Sequence, residues 1–272
     1  MGLRDRLRAR LRRRSAPPRP APPPRRQPPA PSPPTGRWAP LHPQLRDDVQ
    51  ALLHPHLRDA LASRRPELAL SPLAPGLHRL PVLSEPARAM LLEELAAARR
   101  ASDAGQLRLQ PPNSMNRAGL QLDEIGLRTL SEALCTTVVA PLSALFPALG
   151  AVQLGDPHGF TVRYGDGADR DLGFHADDAT LTLNLCLESD AEGAAVVFEG
   201  ARCLEHRQTP HRPAERVVWS PAPGEALLHL GAHRHRTLRI ESGSRTNLVL
   251  WCRDEARVDL GPCGPWCGDS TA

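Results

Sequence analysis

Near residue 158 the apolar residues change their spacing, and that change limits the folds open to this chain. Beyond it they alternate with other residues: Phe160 to Tyr164 reads FTVRY, Thr180 to Leu187 TLTLNLCL, Ala195 to Phe198 AVVF, Glu225 to Leu230 EALLHL and Thr246 to Cys252 TNLVLWC. A period of two puts successive side chains on opposite faces of a strand. Each run is short and bounded by Gly, Pro, Asp or Ser, the pattern of an all-β sandwich or barrel. Before the change the period is helical. Leu45, Val49, Leu52, Leu53, Leu57 and Leu61 recur at helical spacing with an interruption at Pro55. Ser84 is placed to cap a helix with Pro86 in its first turn and Met90, Leu91, Leu92 and Leu95 as its buried stripe. A further helical pattern runs through Leu127, Leu130, Leu134 and Val138 to Pro141. The expectation is an α+β chain with a helical support region at 41–157, a β core at 158–256 and a Cys-containing tail at 257–272. Ala201 to Pro223 reads as a long polar excursion between two strands, the type of loop that forms a lid or substrate wall.

Residues 1–40 are of another kind. They carry eleven Arg against the single acid Asp5, a balance of +10, whereas the remaining 23 Arg face 29 acids. The part beyond the tail is therefore mildly acidic, a poor basis for a surface that tracks nucleic-acid phosphates, and no nucleic acid is expected at the core. MGLRDRLRARLRRR places Leu3, Leu7 and Leu11 four residues apart, as in a short basic amphipathic helix. It reads as a solvated charge run, a transit-like peptide or a membrane-surface contact. The Pro-rich stretch after it favours extended conformations and cannot bury a core, so a disordered Arg/Pro-rich tail is expected at 1–40. No apolar run approaches the roughly 20 residues of a membrane-spanning helix. With no secretory signal and only six Cys, the expectation is a reducing, intracellular compartment, the cytoplasm ahead of an organelle. The chain has no Lys at all, which excludes Schiff-base chemistry and a Walker A loop.

Within the β half, His175-Ala176-Asp177 stands just before the strand near Thr180, and His235 follows sixty residues later. In extended backbone, residues 175 and 177 leave the same face and can share one ion. Two imidazoles and a carboxylate on one side of a metal leave positions open, as in the facial triads of non-haem Fe(II) oxygenases, whereas structural zinc takes four closed ligands. Arg245, ten residues past His235, opens the strand Thr246 to Cys252 and shares parity with Trp251. Its planar fork suits the far carboxylate of 2-oxoglutarate. Tyr164, the one tyrosine of the chain, can offer a hydroxyl to the same co-substrate.

HADDATLTLNL followed by HLGAHRHRTLRIESGSRTNLVLWCR resembles the Fe(II)- and 2-oxoglutarate-dependent dioxygenase superfamily, in its prolyl-4-hydroxylase-like branch. Within it the chain is most similar to the 2-oxoglutarate and iron-dependent oxygenase domain-containing proteins, which also share counterparts of HRLPVLSEPARAMLLEELAAARR and PNSMNRAGLQLDEIGL and a Cys pair like Cys263 and Cys267. Coverage runs from about Leu77 to Cys267; the Arg-Pro tail matches nothing. The resemblance implies a double-stranded β-helix, or jelly roll, with helices packed outside it. It implies His175, Asp177 and His235 as iron ligands and catalytic centre, Arg245 as the 2-oxoglutarate partner and Tyr164 as a second contact. The implied cofactors and small partners are Fe(II), 2-oxoglutarate and O₂, with L-ascorbate by analogy. The implied reaction is hydroxylation of an unknown primary substrate, a protein prolyl or lysyl side chain being the class at hand. Asp178-Ala179 departs from the usual residues after the ligand pair.

Several positions admit two readings. His229 and His233 share parity with His235, but only His235 keeps the ten-residue offset to Arg245; His229 is then expected in the core or behind the ligands and His233 at the surface. Thr182 and Asn184 lie on the face opposite Leu181, Leu183 and Leu185, towards either a polar lumen or solvent. Asn113 to Asn116 reads as an ordered loop or as cover for the site. Cys263 and Cys267 offer two of the four ligands zinc wants, so free thiols or a local disulfide are expected. The competing functional class is a non-catalytic jelly-roll adaptor that recruits partners through its Arg/Pro tail.

Overall fold

The computed structural model describes residues 38–254 and Cys267; the N-terminal tail, residues 255–266, Cys263 among them, and the last five residues lie outside the described set. Helices α1 (Gln44–Asp47), α2 (Val49–Leu52) and α3 (Pro55–Ala62) follow the first periodic stretch, and Pro55 opens α3 where its missing N–H costs nothing. In α4 (Glu85–Asp103) Ser84 Oγ accepts from the Ala87 amide at 3.4 Å, as its capping position requires. Helix α5 (Arg128–Leu134) runs on through a wider turn to Val139.

Thirteen strands form the β part of the described residues. The large sheet has the order β1-β2-β10-β6-β13-β4-β3, built from Ser71–Ala74, Leu77–Pro81, Glu225–Leu230, Leu181–Ser189, Ser244–Asp254, Leu154–Gly165 and Gly119–Gln121. The smaller sheet is β5-β11-β8-β9: Leu172–His175, His233–Thr237, Val196–Ala201 and Arg216–Trp219. A two-stranded piece joins β7 (Glu192–Gly193) to β12 (Ile240–Ser242). The ladders between these described strands are antiparallel, and the two sheets pack face to face through contacts such as Phe198 in β8 against His229 in β10, ring centroids 5.1 Å apart. This is a jelly roll with external helices.

Parity decides what each face meets. Leu181, Leu183, Leu185 and Leu187 of β6, Leu228 of β10 and Leu248 and Leu250 of β13 pack with Leu91, Leu95, Leu130 and Leu134 of the helices in one buried cluster. Each such leucine removed from water contributes about 1.5–3 kcal/mol. The intervening residues face the space between the sheets, so the helical cover turns Thr182, Asn184, His229 and Asn247 inwards.

Two parts of the architecture differ from the periodicity. Strands β1, β2 and β3 arise in the first, helical half, because short Pro- and Gly-bounded runs such as LHRLP carry too little pattern to announce a strand but can pair with an existing edge. The excursion after Ala201 is shorter than it reads: Pro213–Glu215 makes one helical turn and β9 then pairs with β8 from Val196 to Glu199.

Candidate active site

His175 ends β5 and lies directly opposite His235 of β11 in the ladder, their imidazole centroids 4.2 Å apart. Asp177 follows where the chain leaves the sheet, and its amide donates to the Gly231 carbonyl at 2.9 Å, tying it to the turn between β10 and β11. Only glycine fits that turn, since a Cβ would stand 1.8 Å from the Ala179 carbonyl oxygen. Asp177 Oδ1 is thereby 3.5 Å from His175 Nε2 and 3.8 Å from His235 Nε2. One ligand atom from each of the three lies within 4.8 Å of the others.

The partners of these side chains set their proton positions. His175 Nδ1 donates to the Gly173 carbonyl and His235 Nδ1 to the His233 carbonyl, each at 2.8 Å. A carbonyl only accepts, so each Nδ1 holds a hydrogen and Nε2 is the atom turned towards Asp177, its lone pair open to an ion whenever the imidazole is neutral. Thr182 Oγ1 donates to Asp177 Oδ2 at 2.7 Å, which engages one carboxylate oxygen and leaves Oδ1 to the imidazoles. Burial alone would raise the Asp177 pKa, but His235, His175 and His229 around it outweigh this and hold the carboxyl below the usual carboxylate range. Burial, only partly offset by Asp177, pushes His235 down to about 3, so it stays neutral and able to ligate. Burial opposes protonation of His175 as well, yet its hydrogen bond and charge contact with Asp177 leave it raised.

This donor set fits a divalent transition metal: two imidazoles and one carboxylate, oriented from behind and lining one cavity. Thr182→Val is expected to weaken Fe(II) or Mn(II) binding by about 10–100-fold, because Asp177 then loses the donor that fixes its rotamer. A metal titration showing unchanged affinity would mean that the carboxylate orients itself.

Arg245 stands opposite Tyr164 in the β13–β4 ladder, and both line the same cavity as His175, Asp177 and His235. The guanidinium points inwards: the residue is 2% exposed, its Cζ lies 4.9 Å from the Tyr164 ring centroid, and NH1 donates to the Ala194 carbonyl. Its Nε has no hydrogen-bond partner, and no carboxylate among the described residues pairs with it. Tyr164 is buried, and that burial raises its pKa, so the phenol keeps its proton and can donate. Thr237 and Asn116 approach its oxygen at 3.4 Å.

The alternatives for the third ligand separate cleanly. His229 is fully buried with Nδ1 donating to the Leu230 carbonyl at 2.8 Å, and its Nε2 is 3.9 Å from Asp177 Oδ2, the oxygen engaged by Thr182, so it stands behind the carboxylate. His233 corrects the surface expectation. It is 5% exposed, edge-on to Phe198 at 5.2 Å, because β11 is an inner strand and parity with His235 turns it into the sandwich. Asn184 lies in the lumen, accepting from Asn247 Nδ2 at 2.6 Å. The loop with Asn113, Met115 and Asn116 covers the cavity, held by Asn116 and the backbone amides of Arg117 and Ala118 on Asp169 Oδ2. Sequence reasoning passed over Thr237 and Asn247, although parity with His235 and with Arg245 was the available signal. Asp178, the departure noted above, bonds Arg253 at 2.7 Å outside the triad.

A jelly roll with two imidazoles and a carboxylate converging on its inner face presents a donor set that could hold a metal ion. Residues 35–151 match the model of the OGFOD2-like domain, a match that ends just before β4. The chain is 35% identical over 205 residues to the 2-oxoglutarate and iron-dependent oxygenase domain-containing protein CP2 of Arabidopsis thaliana, covering 74% of this chain and 52% of that protein. It is 33% identical over 222 residues to the 2-oxoglutarate and iron-dependent oxygenase domain-containing protein 2 of Xenopus tropicalis, covering 81% and 57%. Among solved structures, a prolyl-4-hydroxylase of Pseudomonas putida aligns with 72% of this chain and 99% of its own, at 16% identity and a TM-score of 0.48. Residues 35–151 thus resemble the OGFOD2-like domain, and the chain is similar to the 2-oxoglutarate and iron-dependent oxygenase domain-containing proteins. It spans about half the length of these relatives.

Proposed function

We propose that this chain is an Fe(II)- and 2-oxoglutarate-dependent dioxygenase with His175, Asp177 and His235 as the metal ligands. The observation that carries the reading is the convergence of three oriented donor atoms on a cavity whose wall holds a buried guanidinium without a carboxylate partner among the described residues. Bound iron supplies oxidative decarboxylation of 2-oxoglutarate to succinate and CO₂, coupled to hydroxylation of a substrate C–H bond. The protein's part is positional. Arg245 takes the far carboxylate of the co-substrate in a charge-assisted fork, and Tyr164 adds a neutral hydroxyl donor. Phe160, Val249 and Trp251 give the wall an apolar side beside polar residues such as Asn184, Thr237 and Asn247, and that side keeps water from the reacting groups. The adaptor reading leaves Arg245 unexplained, since a buried cation lacking a counter-charge is costly unless an anion joins it.

For the primary substrate we propose a protein side chain, proline or lysine first, with ascorbate as the reductant that keeps iron ferrous. The full chain with Fe(II), 2-oxoglutarate and O₂ is expected to release succinate slowly even without that substrate, and candidate peptides should gain the mass of one oxygen atom. A folded, iron-loaded sample that releases none would remove the proposal.

A further inference from the structure

A second cluster of metal-ligating atoms lies outside the triad. Cys203 and His206 flank a tight turn in which the His206 amide donates to the Cys203 carbonyl at 3.2 Å, and this brings Cys203 Sγ 3.3 Å from His206 Nδ1. Cys267, distant in sequence, returns to the same point, where its Sγ accepts from the Cys203 amide at 3.2 Å. The two sulfurs and the imidazole nitrogen all lie within 4.8 Å of one another. A tetrahedral ion with metal–sulfur distances of about 2.3 Å and metal–nitrogen of about 2.0 Å needs S···N near ~3.6 Å and S···S near ~3.8 Å, so small side-chain rotations suffice to close the set.

We propose that Cys203, His206 and Cys267 hold a zinc-class cation. The donor chemistry separates it from the triad, because two sulfurs and one nitrogen select a borderline-soft ion while nitrogen with carboxylate oxygen suits ferrous iron. Both cysteines are buried, His206 is half-buried at the rim, and the fourth tetrahedral position falls to water or another donor. The backbone amide aimed at Cys267 Sγ and the charge of Arg234 within reach of that sulfur both favour the thiolate form that a metal requires.

The position gives the cation a task. Arg202 bonds Thr209, the Pro210 carbonyl and Glu215, while Arg234 bonds the Arg207 and Thr209 carbonyls, so two buried guanidinium groups gather the chain after Cys203. Cys203, Leu204 and Arg207 of that segment line a cavity whose opposite wall is Asp177 to Thr180. A metal at the start of the segment fixes that wall beside the triad carboxylate and ties Cys267 to it.

The test is Co(II) titration of the full reduced chain. The expected result is a sulfur-to-cobalt charge-transfer band at one equivalent, displaced by Zn(II), present in His175→Ala and lost in Cys203→Ser. His206→Gln, a change in an exposed turn, is expected to weaken binding by roughly tenfold or more, since a direct ligand matters at least as much as the partners behind one. This variant decides the matter if Cys203→Ser does not fold. Absence of the band, its persistence in Cys203→Ser, unchanged affinity in His206→Gln, or a disulfide at Cys267 in the reduced preparation would overturn the site. None of these outcomes depends on succinate release.

Discussion

In Arg245→Gln, the 2-oxoglutarate concentration needed for half-maximal succinate release is expected to rise on the order of 100-fold, while Fe(II) affinity stays near that of the unchanged chain. The estimate follows from truncating one side of a buried charge pair, which costs about 2–5 kcal/mol. Arg245 is enclosed by Tyr164, the Ala194 carbonyl and the thiol of Cys186, none of which is an anion at neutral pH, and burial raises both the phenol and the thiol further from ionisation, Cys186 to about 11. The guanidinium keeps its charge even so. A dicarboxylic acid entering the cavity therefore supplies the missing counter-charge and a partner for the orphaned Nε, and Gln can supply only one neutral donor in return. Arg245→Lys should fall between the two, because a point charge cannot reproduce the planar fork. The readouts are succinate release against 2-oxoglutarate concentration and metal binding followed separately. A rise of less than roughly threefold would place the co-substrate carboxylate elsewhere.

Much of this site is written in a period of two. His175 and Asp177, like Arg245 and Trp251, share parity, and the ladder that pairs His175 with His235 and Arg245 with Tyr164 turns those parities into one cavity. What parity cannot say is which face is inside. Thr182 and Asn184 were as compatible with solvent as with the lumen until the helices covered the leucine face of β6, and the surface expectation for His233 failed because nothing local marks β11 as an inner strand. Contacts made across long stretches of chain left no local trace either. Asn116 reaches Tyr164 and Asp169 from a loop before the β core, and Cys203 and His206 meet Cys267 only through the fold. The strands Leu77–Pro81 and Arg216–Trp219 were hidden for a simpler reason: runs of five and four residues are too short to show a period.

The largest single loss is expected from Asp177→Asn, which should abolish detectable iron retention and reduce succinate release by at least about 100-fold, more than the change to Thr182 behind it. Asparagine still accepts the Thr182 hydrogen bond, so the fold is kept while the charge is removed. The same substitution tests how binding depends on pH. Asp177 holds His175 above its ordinary value of 6.5, so in the metal-free chain His175 carries a proton at and somewhat above that pH, and an incoming ion must displace it. Metal affinity should therefore climb as pH rises through this range. The metal-free fold moves the opposite way: the protonated His175–Asp177 pair stabilises it fully below pH 6.5, and that contribution fades as pH rises through the raised value. Thermal unfolding with and without Mn(II), at pH 6 and pH 8, should show the gap between the two curves widening at the higher pH. In Asp177→Asn that gap should vanish at both. A gap that is independent of pH in the unchanged chain would show that His175 binds no proton that the metal must displace.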